Sequence, residues 1–187
     1  MQLHLIRHTT PDVASGVCYG QTDIGLADSF EWELGSLREK LADTPFTACY
    51  SSPLQRCARL ARELFAGEPR HDERLRELAF GEWELQPWQA IPREQMEPWS
   101  ADWVTQAPPG GESFVALHQR ACAFLEELRQ RHDGPVLAVT HSGVIRALLA
   151  EASGLPLTAI FRFRLDFGGV TRIDYDGVLP LVAYVNR

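Results

Sequence analysis

The sequence predicts an α/β protein in which short buried strands alternate with helices that cross over between them. Three short apolar runs each end in a polar segment. Each run is followed along the chain by a stretch with helical periodicity. The last part of the chain instead has the alternating pattern of a hairpin. This order is typical of a sheet whose strand ends meet at one edge, where α/β folds bind their ligands.

The first strand covers residues 3 to 6 and ends at Arg7 and His8, because Pro11 takes the chain out of regular structure soon afterwards. Residues 12 to 23 then form a loop that is rich in glycine, serine, aspartate and threonine. An arginine beside a histidine at a strand end is usually only a solvated polar edge. Other segments must therefore support any functional interpretation of this pair.

The first helix begins with Asp28 as its N-cap and ends before Pro45, with apolar residues at the helical period between them. Residues 48 to 51 form the second strand. The helix that follows runs to Phe65 and carries Arg56 in its first turn. Arg56 is therefore expected at the same edge of the sheet as the end of the first strand.

Residues 83 to 109 are predicted to form a lid-like excursion from a single domain that spans residues 1 to 187. Helical and strand periods both fade here, and four tryptophans occur among five prolines. The tryptophans either stack on a flat ligand or form the core of the excursion. They are Trp83, Trp88, Trp99 and Trp103.

The C-terminal part is predicted to contain a long helix, a third strand, a further helix and a closing hairpin. Residues 110 to 113 open the long helix, which ends near His132, and residues 136 to 140 form the short apolar strand. The next helix covers residues 144 to 152. Residues 161 to 185 are expected to close one side of the sheet as a hairpin.

The composition indicates a soluble, cytoplasmic protein. The chain has 187 residues with 45% hydrophobic side chains, which is enough to bury one core. It contains no apolar run of the roughly 20 residues that a membrane helix needs, and no basic leader with an apolar core. Its four cysteines have neither a C-x-x-C pair nor metal-ligand spacing, which indicates reduced, buried thiols. A net charge of −7 argues against a nucleic-acid-binding surface.

Two arginines and two histidines are expected to meet at the sheet edge, with a carboxylate nearby. Arg7 and His8 end the first strand, Arg56 begins the second helix, His141 follows the third strand, and Glu77 lies in a loop. Guanidinium groups match the oxygens of a phosphate, and an imidazole can act as a nucleophile or a donor. The helix after His141 adds free N–H groups and the positive end of its dipole. These residue types therefore indicate phosphate-ester chemistry.

Five motifs, in order along the chain, resemble those of the histidine phosphatase superfamily, which includes the cofactor-dependent phosphoglycerate mutases. They are Arg7-His8, Ser51 to Arg56 (Ser-Ser-Pro-Leu-x-Arg), Leu75 to Glu84 (Leu-x-Glu-x-x-x-Gly-x-Trp-Glu), residues 110 to 113 (Gly-Gly-Glu-Ser) and His141 to Arg146 (His-x-Gly-x-x-Arg). The resemblance implies a phosphoglycerate mutase-like fold, which is a three-layer α/β/α sandwich with a mixed, mostly parallel sheet.

The resemblance also implies a role for each residue of the expected site. His8 is the nucleophile that takes the phosphoryl group, and Arg7, Arg56 and His141 hold its oxygens. Glu77 gives a proton to the leaving alkoxide and later acts as the base for water. No metal and no other cofactor is implied, because a free imidazole, with a pKa of about 6.5, can attack unprotonated near neutrality.

Three other carboxylates rival Glu77 as the proton donor, since each can lie near the same loop or be a solvated charge. The spacing to Gly81 and Trp83 favours Glu77. Glu112 and Ser113 are expected chiefly to serve the start of the long helix. The three rivals are Glu82, Glu84 and Glu112.

Differences from the usual family motifs narrow the range of expected substrates. The usual Arg-His-Gly-Glu is Arg-His-Thr-Thr here, and Ala14 stands where an asparagine is common. Residues 9 to 11 and 16 to 23 are instead similar to α-ribazole phosphatases, which act late in building the lower ligand of cobalamin. This similarity, together with the start of the helix after His141, predicts four substrate-binding residues. One of them, Gln21, can equally be a turn residue. They are Tyr19, Gly20, Gln21 and Ser142.

The predicted function is a phosphomonoesterase that needs no metal and acts on a small molecule, α-ribazole 5′-phosphate. A broad-specificity phosphatase or a phosphoglycerate mutase is the alternative within the same family. A metallohydrolase with His8, His141 and Glu77 as ligands is disfavoured, because the adjacent arginines would repel the cation. A phosphate-binding module without turnover is the non-enzymatic alternative. Membranes and nucleic acids are not expected as partners, and no oligomeric state is predicted.

Overall fold

A six-stranded sheet forms the centre of the computed structural model, which describes residues 1–187. In chain order its strands are β1 (Gln2–Arg7), β2 (Ala48–Ser51), β3 (Arg70–His71), β4 (Pro135–Thr140), β5 (Val170–Asp174) and β6 (Leu181–Tyr184). They lie in the spatial order β3-β2-β4-β1-β5-β6. The first four in this order are parallel, whereas β5 and β6 run antiparallel to their neighbours. The predicted α/β class with a mixed, mostly parallel sheet is therefore confirmed.

Helices cover both faces of this sheet. The chain has five α-helices, α1 (Phe30–Leu41), α2 (Gln55–Leu64), α3 (Arg93–Ala101), α4 (Phe114–Arg131) and α5 (Ser142–Ser153), and all of them except α3 pack on the sheet. Successive residues of a strand point to opposite faces, so Leu3 and Leu5 pack with α4 and α5, while Ile6 packs with α1 and α2. None of the helices has the length and hydropathy that crossing a membrane requires. The predicted three-layer arrangement is confirmed.

The pairing of the central strands brings distant parts of the chain to one edge of the sheet. β1 and β4 pair in parallel with Arg7 opposite Thr140. The residues that follow, His8 and His141, therefore leave the sheet side by side. The end of β2 reaches the same edge next to β4, which brings the first turn of α2 and its Arg56 to this place.

Helix α1 begins later than the sequence predicts. The residue before the helix is Ser29 and not Asp28, and no side chain caps the first turn. Ser29 Oγ instead donates to Glu33 Oε1 at 2.6 Å, and Phe30 N donates to the carbonyl of Ala27 at 3.1 Å. The predicted N-cap at Asp28 is wrong, because the helix begins one residue later and these local hydrogen bonds hold its first turn.

Three elements carry too little sequence signal to be predicted. Strand β3 has only two residues, and both are exposed. Helix α3 lies inside the segment 83–109 and buries none of its residues, so no apolar stripe marks it. Leu157–Arg162 form a 3-10 helix, so the closing hairpin begins at β5 and not at residue 161.

A buried histidine in β1 is expected to make the stability of the protein depend on pH. His4 is 2% exposed, and both of its ring nitrogens lack a hydrogen-bond partner. Burial and the nearby Arg172 cation lower its pKa to about 4, against an opposing effect of Asp174. In the unfolded chain the ring titrates near 6.5. Its contribution to stability is therefore fully present above pH 6.5 and is lost as the pH falls towards 4.

Replacement of His4 by leucine should flatten this dependence. We expect the free energy of unfolding of the wild-type protein to fall between pH 7 and pH 4.5 by about 2 kcal/mol more than that of His4→Leu. Urea unfolding at a series of pH values measures the difference. If the free energy of unfolding depended on pH in the same way in both proteins, His4 would not be the source of this pH dependence.

Candidate active site

His8 follows the end of β1 and lies inside the protein. It is 1% exposed, and its Nδ1 lies 2.7 Å from the carbonyl oxygen of Thr9. Since a carbonyl oxygen can only accept, Nδ1 carries the hydrogen and Nε2 keeps its lone pair. The ring is thus fixed in the tautomer that leaves Nε2 free for nucleophilic attack.

The surroundings of His8 keep its ring neutral. The pKa of His8 lies well below the usual 6.5, chiefly because of burial, and the Arg56 cation lowers it further. The hydrogen bond to Thr9 opposes this effect, and Arg7 adds to it. At neutral pH the lone pair on Nε2 is therefore available.

His141 follows β4 and stands directly before α5. It is 0% exposed, and its ring centre lies 5.1 Å from that of His8. Its Nε2 lies 2.9 Å from Ser52 Oγ, in the Ser-Ser-Pro-Leu motif. Burial lowers the pKa of His141 well below 6.5, and the neighbouring His8 and Arg56 lower it further. Two neutral imidazoles therefore lie close together at the sheet edge.

Arg7, at the end of β1, is held by contacts that leave part of its guanidinium without a hydrogen-bond partner. Its Nη1 donates to the carbonyl of Leu165 at 2.6 Å, and its Cζ lies 3.7 Å from the ring centre of Phe167. Its Nε is buried without a hydrogen-bond partner. The residue makes no ion pair with a carboxylate.

Arg56 is held in a similar way from the first turn of α2. The residue is 0% exposed, and its Nη1 and Nη2 donate to the carbonyls of Thr22 and Gly20 at 2.8 and 2.7 Å. Its Nε is also buried without a partner. A buried cation normally has an anionic partner. The buried Arg56 and the half-buried Arg7, each with an unpaired Nε–H beside His8, therefore point to an anionic ligand.

Glu77 lies in the loop before Gly81 and reaches the start of α5. Its Oε1 accepts a hydrogen bond from Gly143 N at 3.1 Å, and its Oε2 accepts one from Ser142 Oγ at 3.3 Å. Leu78 N also donates to Oε1 at 3.0 Å. The carboxylate therefore lies at the positive end of the α5 dipole, next to the residue that follows His141.

Arg120 of α4 holds the Glu77 loop in place, and no sequence motif singled this residue out. Its guanidinium donates to the carbonyls of Arg74, Arg76 and Glu77 at 2.6, 2.7 and 2.9 Å. It also pairs with Glu112 at 2.6 Å. The half-buried Arg120 guanidinium thus fixes the backbone that carries the candidate proton donor.

The three rivals of Glu77 are placed differently. The Glu84 carboxylate accepts hydrogen bonds from the backbone N–H groups of residues 21, 22 and 80. Glu112 pairs with Arg120 and accepts from Ala79 N at 3.0 Å, and Glu82 is exposed. Ser113 caps α4 as predicted, by accepting from Ala116 N. Among the four carboxylates, Glu77 is the one that reaches the start of α5.

Tyr19 and Gly20 lie against Arg56. The Tyr19 ring centre is 5.3 Å from Arg56 Cζ, and the Gly20 carbonyl accepts from Arg56 Nη2. Gly20 has a φ of +40°, and a Cβ at this position would lie 2.3 Å from Glu84 Oε1. Only glycine fits this turn, which sets the position of the Arg56 guanidinium.

The other two predicted substrate-binding residues contact Glu77. Gln21 Nε2 donates to the Glu77 carbonyl at 2.9 Å and lies 3.4 Å from Glu112 Oε1. The Gln21 amide is thus engaged with the Glu77 loop. Ser142 contacts the Glu77 carboxylate and also lines the adjoining pocket.

A pocket of about 310 Å³ opens beside these residues. Its polar side includes Arg7, Glu77 and Ser142, and the rest is largely aromatic. Three of the four tryptophans of the predicted excursion line it, whereas Trp83 is 1% exposed and belongs to a small core. The aromatic lining consists of Tyr19, Phe80, Trp88, Trp99, Trp103, Phe114 and Phe161. This volume is at the lower end of the range for small-molecule sites.

Arg146 is a further cation in this pocket that the sequence prediction did not include among the site residues. It lies on α5, one turn after Ser142, and its Cζ is 5.0 Å from the ring centre of Phe161. Its Nε is buried without a partner. Burial lowers the pKa of Arg146, and the Glu77 carboxylate opposes this effect. The His-x-Gly-x-x-Arg motif, which ends in this arginine, could have indicated it from the sequence.

A family model for the histidine phosphatase superfamily (branch 1) matches residues 3–187. The chain belongs to this superfamily. An adenosylcobalamin/alpha-ribazole phosphatase of Salmonella typhimurium is 31% identical over 183 residues, which cover 93% of this chain and 90% of that protein. The crystal structure of an alpha-ribazole phosphatase from Shigella flexneri has a TM-score of 0.92 and 28% identity, covering 100% of this chain and 96% of that chain. A mycobacterial glucosyl-3-phosphoglycerate phosphatase has a TM-score of 0.87 and 26% identity, covering 99% and 98%.

Membership of the histidine phosphatase superfamily confirms the resemblance that the five motifs predicted. The fold is the phosphoglycerate mutase-like fold, and the chain is a histidine phosphatase of the phosphoric monoester hydrolase class.

Proposed function

We propose that this histidine phosphatase hydrolyses α-ribazole 5′-phosphate through a phosphohistidine on His8, without a metal. The observation that carries the reaction type is a pair of arginines, the half-buried Arg7 and the buried Arg56, that lack acidic partners beside a neutral His8. A dianionic phosphoryl group supplies the missing negative charge. The proposed role in the synthesis of cobalamin follows from the substrate.

In the first step, Nε2 of His8 attacks phosphorus, and the bond from phosphorus to the ester oxygen breaks. Little covalent chemistry is asked of the other residues, since phosphoryl transfer depends mainly on position and charge. Arg7, Arg56 and His141 hold the phosphoryl oxygens. The first N–H groups of α5 add to this positive environment.

Glu77 protonates the ester oxygen as it leaves, so that an alcohol departs and not an alkoxide. In the second step the Glu77 carboxylate takes a proton from water, which attacks the phosphohistidine. Inorganic phosphate is released and His8 regains its lone pair. Arg120 is a positioning residue in this scheme, because it fixes the backbone of the Glu77 loop.

The aromatic pocket supports α-ribazole 5′-phosphate as the substrate. It adjoins Arg7 and Glu77, where the leaving group of a bound ester would lie. Trp103 contacts Phe114 and Phe161 edge-on, with ring centres 5.3 and 4.9 Å away. Flat aromatic rings favour such walls, and α-ribazole carries a flat benzimidazole base. The relatives named as alpha-ribazole phosphatases also favour this substrate.

We further propose that residues 1 to 187 act as one phosphatase domain and that residues 83 to 109 cover the leaving group. This segment supplies Trp88, Trp99 and Trp103 to the pocket. Trp88 and Trp99 also stack on each other, with ring centres 6.3 Å apart and planes at 25°. A cover of this kind excludes water from the ester during the first step.

A second candidate is a phosphatase for carboxylate-bearing esters such as 3-phosphoglycerate. Arg146 favours it, because this half-buried residue retains a buried Nε–H without a partner at the pocket. A carboxylate on the leaving group would pair with this cation. α-Ribazole has no such group.

A panel of monoesters, ranked by kcat/KM, tests both candidates. We expect α-ribazole 5′-phosphate to exceed ribose 5-phosphate by at least about 10-fold, because the base adds aromatic contacts of more than 1 kcal/mol. Trp103→Ala should reduce this ratio, whereas Trp32→Ala, on the exposed surface of α1, should not. Equal kcat/KM values for all esters would contradict α-ribazole 5′-phosphate as the specific substrate. They would support only the assignment as a phosphomonoesterase.

In the same panel, 3-phosphoglycerate and glucosyl-3-phosphoglycerate represent the second candidate. If they rank first and lose their advantage in Arg146→Leu, the carboxylate assignment replaces that of α-ribazole 5′-phosphate.

A further inference from the structure

A second group of reactive side chains lies on the outer surface of α4 and α5, away from the pocket. His118 and Cys122 are one turn apart on α4, and Glu151 faces them from α5. The three are the one set of histidine, cysteine and acidic side chains in the chain that places a possible metal ligand from each residue within 4.8 Å of the others. None of them has a part in the proposed phosphatase mechanism.

The distances within this group match those of a metal coordination shell. His118 Nε2 lies 3.4 Å from Cys122 Sγ and 3.3 Å from Glu151 Oε2. Cys122 Sγ lies 3.6 Å from Glu151 Oε2. With bonds of about 2.0 Å to nitrogen and oxygen and about 2.3 Å to sulfur, tetrahedral zinc places neighbouring ligand atoms about 3.3 to 3.6 Å apart. The ligand atoms already have this spacing.

The exposure of the group leaves room for a fourth ligand. The His118 side chain is 22% exposed and that of Glu151 is 51% exposed. A cation held by these three residues would therefore be reached by water on its open side. One imidazole, one thiolate and one carboxylate form a donor set that suits zinc and related thiophilic divalent ions.

The charges around the group allow a cation to bind. Glu126 and Arg129 line the same hollow, and the Arg129 guanidinium lies over the ring of Tyr175, 5.2 Å from its centre. Burial, together with Glu151, raises the pKa of Cys122 to about 12. Without a cation the thiol keeps its proton, and metal binding would release it.

We propose that His118, Cys122 and Glu151 bind one zinc-class divalent cation that cross-links α4 to α5. The sulfur loses its proton to solvent when the bond to the metal forms, and no redox step is involved. The site is structural, and it joins the helix that carries Arg120 to the helix that begins after His141.

Titration of the metal-free full-length protein with Co²⁺ tests this proposal by a readout that is independent of catalysis. We expect one Co²⁺ per chain, with a near-ultraviolet thiolate-to-cobalt band and visible bands of tetrahedral cobalt. Zn²⁺ should displace the cobalt and raise the unfolding temperature. Cys122→Ser should abolish the thiolate band, and His118→Ala and Glu151→Gln should weaken binding at least about 10-fold, as expected for loss of a ligand.

Matched controls are Glu126→Gln, a carboxylate in the same hollow, and Cys49→Ser, a buried thiol in β2. Both should bind Co²⁺ like the wild type. Cys57 is the alternative thiol, since its Sγ lies 3.4 Å from His141 Nε2. A band that survives Cys122→Ser and is lost in Cys57→Ser would place the metal at the catalytic histidines and overturn the proposal. Absence of a thiolate band in the wild-type protein would also overturn it.

Discussion

Replacement of His8 by alanine is expected to lower kcat for an aryl phosphate at least about 1000-fold, because the variant has lost the atom that accepts the phosphoryl group. Arg7 and Arg56 remain and still bind the phosphate oxygens. The inhibition constant for inorganic phosphate should therefore change only several-fold. Steady-state kinetics with an aryl ester, with phosphate as the inhibitor, measure both quantities.

The matched control for this variant is His71→Ala, which removes an exposed histidine at the end of β3. Its kinetics should equal those of the wild type. A His8→Ala protein that retains its fold and hydrolyses the ester at the wild-type rate would refute the role of His8.

Replacement of Glu77 by glutamine is expected to reduce steady-state turnover by about 100- to 10,000-fold, the usual contribution of general acid–base catalysis. The amide oxygen can still accept from Gly143 N, so the start of α5 keeps its bond. With an aryl ester the phenolate leaves without a proton, and the first turnover should stay fast. A burst of one phenol per chain, followed by slow turnover, is therefore expected in a stopped-flow experiment. An alkyl ester should give no burst.

Glu82→Gln is the control for this experiment, since Glu82 belongs to the same motif but is exposed. It should behave like the wild type. Unchanged kinetics of Glu77→Gln with both esters would assign the proton transfer to another group. Equal slowing of the first turnover with both esters would make Glu77 only a structural ligand of the helix start.

The sequence predicted the central architecture because its signals are local and strong. The apolar runs of β1, β2 and β4 end in the motifs that carry Arg7, Arg56 and His141. In parallel strands these ends must meet at one edge, which the register of Arg7 opposite Thr140 confirms. The helices on both sides of the sheet then follow from the apolar character of these strands.

Features that depend on contacts between distant segments could not be predicted. Arg120 acts through backbone carbonyls of a loop that lies more than 40 residues away in the chain. The aromatic pocket requires Trp103 and Phe161 to meet, and the cluster on α4 and α5 requires Glu151 to face Cys122. Spacing between cysteines does not reveal that cluster, because its other two ligands are a histidine and a carboxylate.

The most direct test of the mechanism is the capture of the phosphorylated protein. The wild-type protein is mixed with an excess of ³²P-labelled substrate and quenched in alkali within the first turnover. We expect up to one phosphate per chain, labile to acid, on the peptide that contains His8. Label on another residue, or no label on the His8 peptide of Glu77→Gln after its burst of phenol, would contradict a phosphohistidine on His8.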